Sequence, residues 1–298
     1  MKFVRPSTAL ALAACLASLL TPARAAIDPT TYVMASDGRF GSMDLANGRF
    51  SQIGGVLYGP TGLGNLADGT LVTMTGSGDL WRMNTSIGAS DMIGSSGISF
   101  AAFGSLSSGA LYGIDFFNND LYSINSRTAA ATDLGWTGLP SLGWDNRATL
   151  ALTGNGSSLF YFYQGDNQGY NTSSRSSLYR LNTATGQAAF VGDTGFSGIT
   201  GAGFVNGTLY AYSGGFGAAS PNHFFTVNLD TGLATPIGAP YAPGIAFIGS
   251  ATVPVPEPGA PALVASGLLG LLLTQNLRKQ AHRSTFAPAV VPTHPGRL

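Results

Sequence analysis

Residues 177–192 read SLYRLNTATGQAAFVG, and the same frame fits four other stretches without a gap. They are RFGSMDLANGRFSQIG (39–54), DLWRMNTSIGASDMIG (79–94), DLYSINSRTAAATDLG (120–135) and HFFTVNLDTGLATPIG (223–238). The second position is always Phe or Leu, and the fifth is always Met, Ile, Leu or Val. The sixth is Asp44, Asn84, Asn125, Asn182 or Asn228, a short polar side chain able to close an Asx turn where a strand ends. Glycine fills the tenth position in four of the five, where a left-handed turn residue is expected. Every unit closes on an apolar residue followed by glycine: Gly54, Gly94, Gly135, Gly192 and Gly238. Each unit therefore reads as a β-hairpin, repeated five times.

A weaker hairpin precedes most units: GNLADGTLVTM, GSLSSGALYGI, AGFVNGTLYAY and the degraded GWDNRATLALT (143–153). Two hairpins make a four-stranded antiparallel module, and the closing glycines recur at intervals of 40, 41, 57 and 46 residues. That is the period of a β-propeller blade. The first unit is preceded only by TYVMASDG, in register with a second strand, so its inner strand is missing. GIAFIGSATV, from Gly244, supplies a strand at the other end of the repeat region. The expected fold is all-β: five four-stranded blades over 26–253, the ring closed by strands from both ends of the domain and so without free inner edges. A β-solenoid or sandwich is the alternative. Propeller strands are buried on both sides, which accounts for LVTM, LFYFY and LYAY failing to alternate, and assigns Trp81, Tyr122, Tyr179 and Phe225 to packing between blades.

Composition bounds the chemistry. Glycine makes up 42 of 298 residues and charged residues only 9%. Between Ala26 and Thr252 there are seven Arg, thirteen Asp, no Lys and no Glu, a net charge of 7 − 13 = −6. Such a body repels nucleic acid, whose binding depends on neutralising phosphates. The start of the chain has Lys2 and Arg5, an apolar run STALALAACLASLL, and the small-x-small site Ala23-Arg24-Ala25, so 1–25 reads as a signal peptide cut by signal peptidase. LAAC, with Cys15, is a competing lipoprotein pattern that leaves LASLL at the new N-terminus. Cleavage after Ala25 removes Cys15, the only cysteine, and with it any disulfide or thiolate chemistry.

The catalytic inventory is thin. Only His223 lies in the repeat domain, so a multi-histidine metal site is excluded, and as the first residue of HFFTVN it reads as an edge position. Asp115 and Asp120 in DFFNND and Asp166 in YQGDNQGYN have the oxygen density of calcium loops without EF-hand spacing; turn chemistry explains them more simply. No metal ligand set or cofactor is expected. The repeat departs from its frame where the loop between second and third strands lengthens to YQGDNQGYNTSSRS in the fourth module and YSGGFGAASPN in the fifth. In a propeller that loop and the connection between blades emerge on one face. The candidate ligand face is thus Tyr58, Trp136, Tyr163, Asp166, Asn167, Tyr170, Phe196, Phe216 and Tyr241, beside Gln164, Gln168 and Asn171. Aromatic platforms flanked by amides suit sugar rings; loop aromatics also cap blade cores.

The C-terminal region reads VPVPEPGA, an apolar stretch over 260–273, then Arg278, Lys279 and Arg283. Glu257, between Pro256 and Pro258, is the only glutamate in the chain. A helix of 14–18 residues there spans about 21–27 Å, marginal for a hydrocarbon core of about 30 Å, and the basic cluster holds its end on the cytoplasmic side. This order resembles the PEP-CTERM sorting signal of Gram-negative, often exopolysaccharide-producing, bacteria. The resemblance covers 253–283 and departs from the family in continuing to Leu298 through a tail, 284–298, read as disordered. It implies processing by exosortase, a membrane-embedded cysteine transpeptidase, transit through the inner membrane, and final residence on the outer surface or in the extracellular (biofilm) matrix. It implies nothing about chemistry in the body. The function expected is a non-catalytic propeller that binds polysaccharide or a surface protein; the alternative is an extracellular hydrolase or lyase using paired aspartates in the channel.

Overall fold

The computed structural model describes residues 30–45, 47–55, 57–140, 150–166, 169–170, 174–214, 222–241 and 246–251. The expected signal peptide, sorting signal, C-terminal helix and tail lie outside the described residues. Among the described residues every regular element is a strand, and no helix is long and apolar enough to cross a membrane.

Strands β1 (Thr30–Ala35), β2 (Phe40–Asp44) and β3 (Arg49–Gly54) begin the chain order. The second blade is β4 (Pro60–Asn65), β5 (Leu71–Thr75), β6 (Asp79–Met83) and β7 (Ser90–Ser95). The third is β8 (Phe100–Ser105), β9 (Leu111–Asp115), β10 (Asp120–Ile124) and β11 (Ala131–Trp136). The fourth has β12 (Ala151–Asn155), β13 (Ser158–Asp166), β15 (Ser176–Leu181) and β16 (Ala188–Asp193), with a short β14 (Gly169–Tyr170) paired to the end of β13. The fifth is β17 (Ile199–Val205), β18 (Thr208–Ser213), β19 (Asn222–Val227) and β20 (Ala234–Tyr241). Finally β21 (Phe247–Ala251) pairs antiparallel with β1, Tyr32 opposite Ala251 and Met34 opposite Gly249, and so completes the first blade. The fold is a five-bladed propeller whose first blade is shared between both ends of the domain, as the missing strand requires.

The inner strands form a ring: β21 packs on β4, β4 on β8, β8 on β12, β12 on β17, and β17 on β21. Five apolar clusters fill the five blade interfaces. On one strand, Leu71 enters the interface with the first blade and Val72 that with the third. On β13, Tyr161 faces the third blade while Phe160 and Phe162 face the fifth. Neighbouring residues thus serve opposite interfaces, which is why both parities along a strand are apolar. Each fully buried aromatic contributes about 1.5–3 kcal/mol by transfer from water, before the entropy of ordering is subtracted.

One expectation is corrected. The inner hairpin of the fourth blade is β12–β13, turning at Gly156 and Ser157, not the stretch 143–153. Asn155 pairs with Ser158 across a two-residue turn whose first residue, Gly156, is in the left-handed region at φ 58°, and the extra residues of the long module precede it.

The repeat residues all have a local role. Asn84, Asn125, Asn182 and Asn228 accept backbone N–H bonds from residues two or three along, as in Asn228 Oδ1 from Asp230 N at 2.9 Å and Thr231 N at 3.0 Å. The tenth residue of each unit then donates its N–H to the carbonyl of the sixth. In the third unit Ala129 takes the glycine's place, with φ 62°.

The closing apolar-Gly pair has a longer-range role. The ladder between the third and outer strands slips in every blade, and in the first four blades the slip leaves Ile53, Ile93, Leu134 and Val191 unpaired as bulge residues. These four and Ile237 each pack against one of the five interface clusters. The following glycine then lies against the hairpin turn of the next blade. A Cβ on Gly94 would sit 2.5 Å from the carbonyl oxygen of Thr128, and one on Gly135 2.7 Å from that of Thr185. Gly54 meets Ile87 and Gly192 meets Thr231 in the same way, and Gly238 closes the circle against Asn47.

Gly94→Ala is therefore expected to destabilise the domain by about 1–3 kcal/mol, as overpacking does, seen as a lower urea midpoint at unchanged slope. Gly76→Ala, whose nearest new neighbours are at 3.8 Å and whose φ is not left-handed, is expected to stay within about 0.5 kcal/mol. Ending the chain at Ala246, which deletes β21, is expected to abolish the single cooperative unfolding transition that a chain ending at Val253 keeps; tryptophan fluorescence in urea measures both.

Candidate functional site

All five inner strands begin at the same end of the propeller, where the connections between blades and the turns from second to third strand also emerge. In four of the five blades a backbone bond ties this turn to its own inner strand's approach: Ser36 N to Ala246 O (2.7 Å), Gly76 N to Gly59 O (2.7 Å), Phe116 N to Ser99 O (2.9 Å) and Gly214 N to Gly198 O (2.9 Å). A cavity of about 590 Å³ opens there. Its walls carry Thr61, Phe100, Leu150, Thr200 and Ile248, one from the beginning of each inner strand, with Ser36, Ser99, Phe116 and Phe117 around the rim.

The lining has a definite chemistry. Phe116 and Phe117 stand edge to face, centroids 5.5 Å apart, with Phe117 half exposed. Thr61 Oγ1 donates to Met74 O at 3.0 Å and Thr200 Oγ1 to Phe247 O at 2.7 Å, so both hydroxyls present acceptor lone pairs. None of the described lining residues is Asp, Glu, Lys, Arg or His.

The residues singled out from the sequence lie elsewhere on this end or beneath it. Tyr58, in the connection before β4, is 83% exposed. Trp136, at the end of β11, is 54% exposed, its Nε1 donating to Leu139 O at 3.0 Å while Gln187 Nε2 donates to its carbonyl. Tyr163 is buried at 2% exposure, its hydroxyl donating to Pro140 O and its ring near Tyr161 and Tyr179. Phe196 is half-buried, 4.5 Å from the Phe225 ring and 6.2 Å from His223, and so caps the fifth blade. Gln164 is buried, its Oε1 accepting from Gly198 N at 2.6 Å. Asn167, Gln168, Asn171 and Phe216 lie outside the described residues, and only the backbone of Asp166, Tyr170 and Tyr241 is described.

The cavity residues themselves were not singled out in the sequence. One signal for them was present: DFFNND places two phenylalanines in a turn where the first two blades have SDGR and GSGD. Its acids, not its rings, drew the calcium reading. Asp115 Oδ1 accepts the backbone N–H groups of Asn118 (2.5 Å) and Asn119 (3.1 Å), the Asx arrangement of a turn. Among the described residues no three His, Cys, Asp or Glu side chains gather closely enough to hold a metal ion. Asn119, fully buried with φ 63°, accepts from Tyr161 Oη at 2.9 Å and donates to Pro140 O, which anchors the strand-end loop that carries Trp136.

Burial, with the negative charges of Asp133 and Asp115, holds the Asp120 carboxyl above its usual range. The folded chain then binds that proton more tightly than the unfolded one, so this contribution to stability is complete below the ordinary carboxylate range and is lost as pH rises through the raised value. Asp120→Asn is expected to raise the urea midpoint at about pH 7 and to leave it nearly unchanged at about pH 3.

No family model matches the sequence, and no curated protein matches it. Among solved structures, a chain of a nidogen/laminin complex aligns at TM-score 0.46 and 10% identity, over 74% of this chain and 98% of that one. TolB from Acinetobacter baumannii aligns at 0.43 and 11%, over 72% of this chain and 53% of its own. Hydrazine synthase from Kuenenia stuttgartiensis aligns at 0.41 and 11%, over 62% and 51%. No role is carried from these proteins to this chain.

Proposed function

We propose that this chain is an exported cell-envelope or extracellular-matrix protein whose propeller is a non-catalytic module that binds polysaccharide or a surface protein. The observation that carries the binding reading is the cavity of about 590 Å³ where the five inner strands begin, within the size range of small-molecule sites. Its described lining offers rings and hydroxyls but no acid, base or nucleophile-base pair, so it favours holding a ligand over transforming one. A glycoside hydrolase of the usual kind sets two carboxylates across the scissile bond, and no aspartate stands among those lining residues. Incubation of the purified chain with a polysaccharide panel is expected to give binding without product; accumulation of any shortened or unsaturated product would sink the non-catalytic reading.

The address is the second part of the proposal. Residues 254–283 act as a PEP-CTERM signal: after signal peptidase removes 1–25, the apolar run and Arg278, Lys279 and Arg283 hold the chain in the inner membrane of a Gram-negative cell. An exosortase then reads Pro256-Glu257-Pro258 and releases the body to the outer surface or matrix. The prolines fix an extended backbone for a protease subsite, and the carboxylate of Glu257 offers a charge for a cationic pocket. Glu257→Ala is expected to leave export and folding intact while uncut chain accumulates in the inner membrane. Mass spectrometry of the wild-type surface form from its native host checks this, an intact C-terminus at Leu298 being the result that refutes sorting.

A further inference from the structure

We infer that the cavity at the mouth of the propeller takes an uncharged carbohydrate: a single sugar residue, or the end of a neutral polysaccharide chain. This rests on the binding reading above and narrows it to one ligand chemistry and one set of residues.

Three observations converge on it. The first is the absence of charge at the site combined with the sign of charge around it. No described lining residue is ionisable, and residues 26–252 contain no lysine and carry thirteen Asp against seven Arg. A uronate, sulfate, phosphate or nucleic acid would bring negative charge to a site with no cation in its described walls, on a body that already repels it. The second is the pairing of a ring wall with hydroxyls. Phe117, half exposed beside Phe116, brings to the cavity lining an aromatic ring of the kind that stacks on the C–H face of a pyranose. The third is the hydrogen-bonding sense of the walls. Thr61 and Thr200 have spent their protons on Met74 O and Phe247 O, so toward the cavity they accept. Ser36 and Ser99 add two rotatable hydroxyls at the rim. Acceptors set among rotors match a ligand rich in O–H donors. A purely hydrocarbon guest would strip water from these four oxygens and return no partner.

This placement differs from the outward aromatics of the same end. Tyr58 and Trp136 are exposed on the loop surface and are not among the lining residues. The distinction makes the inference testable apart from the general reading. Purified full-length chain would be titrated calorimetrically with neutral oligosaccharides (gluco-, manno- and galacto-configured hexamers) and with acidic ones (oligoguluronate, oligogalacturonate). Phe117→Ala is expected to weaken neutral binding about tenfold or more, and Phe117→Tyr, which keeps the ring, to retain it. Tyr58→Ala and Trp136→Ala are expected to leave it unchanged. Should Phe117→Ala unfold, Ser99→Phe, which fills the rim without removing any wall, is expected to block binding in a protein whose unfolding midpoint is checked first. Neutral binding that ignores Phe117→Ala and Ser99→Phe but falls with Tyr58→Ala or Trp136→Ala overturns the cavity assignment and leaves the broader loop-face reading standing. Binding of acidic oligomers alone overturns the charge argument. No binding of any glycan overturns the inference and leaves only the protein-binding branch of the proposed function.

Discussion

The structure depends on how closely one blade can approach the next. At five places around the ring, the glycine that closes an outer strand lies against the hairpin turn of the following blade, near enough that four of the five positions have no room for a Cβ. Backbone touching backbone at that spacing brings the third and outer strands of adjacent blades into register. It also turns the bulged Ile53, Ile93, Leu134 and Val191, and Ile237 in the fifth blade, inward onto the interface clusters. A larger residue would wedge the blades apart at the rim and loosen every cluster inside it, because packed interiors do not stretch to absorb an added methyl.

Closure follows the same logic at the axis. The inner strands carry glycines where the neighbouring inner strand passes: Gly62 against Phe103, Gly104 against Leu152, Gly201 against Phe247, Gly249 against Leu63. A ring of only five blades is narrow, and small residues let its strands converge. The pairing of β21 with β1 leaves no inner edge open, and Thr31 Oγ1 adds a bond to Ala251 O at 2.8 Å across that seam. The two segments that form this blade are separated by nearly the whole domain in sequence, so its formation is a long-range event with the loop-closure cost that such contacts carry.

The same architecture sets the chemistry of the mouth. Convergent inner strands present the residues at or just before their starts there, and these are Pro, Thr, Phe, Ala, Leu and Ile rather than charged side chains. Several of the described aspartates bond backbone instead: Asp115 closes a turn, Asp37 accepts from Arg39 N and pairs with its guanidinium at 2.6 Å, and Asp68 accepts from Thr70 N. Hydrogen bonds and the Arg39 charge hold Asp37 below its usual range, and the Thr70 bonds do so for Asp68. The described lining of the cavity is correspondingly a place of rings, hydroxyls and backbone.

The sixteen-residue frame alone determined the blade count, the outer hairpins, the Asx turns at Asn84, Asn125, Asn182 and Asn228, and the need for a strand from beyond the fifth blade. These are legible because turn chemistry and strand pattern are local and were repeated five times over. The inner hairpin of the fourth blade was misplaced because its module is longest and its turn, Gly156-Ser157, lay outside the window set by the shorter modules. Only the tertiary structure decided which residues meet at the mouth. Ser36, Thr61, Ser99, Phe117 and Thr200 come from four different blades and share no motif, since a pocket on a ring of blades is made by convergence in space rather than by proximity in the chain. It also separated the aromatics of that end by burial, leaving Tyr58 and Trp136 in water and drawing Tyr163 and Phe196 into the blades. A ring's fate is set by what packs over it, and no stretch of sequence carries that information by itself.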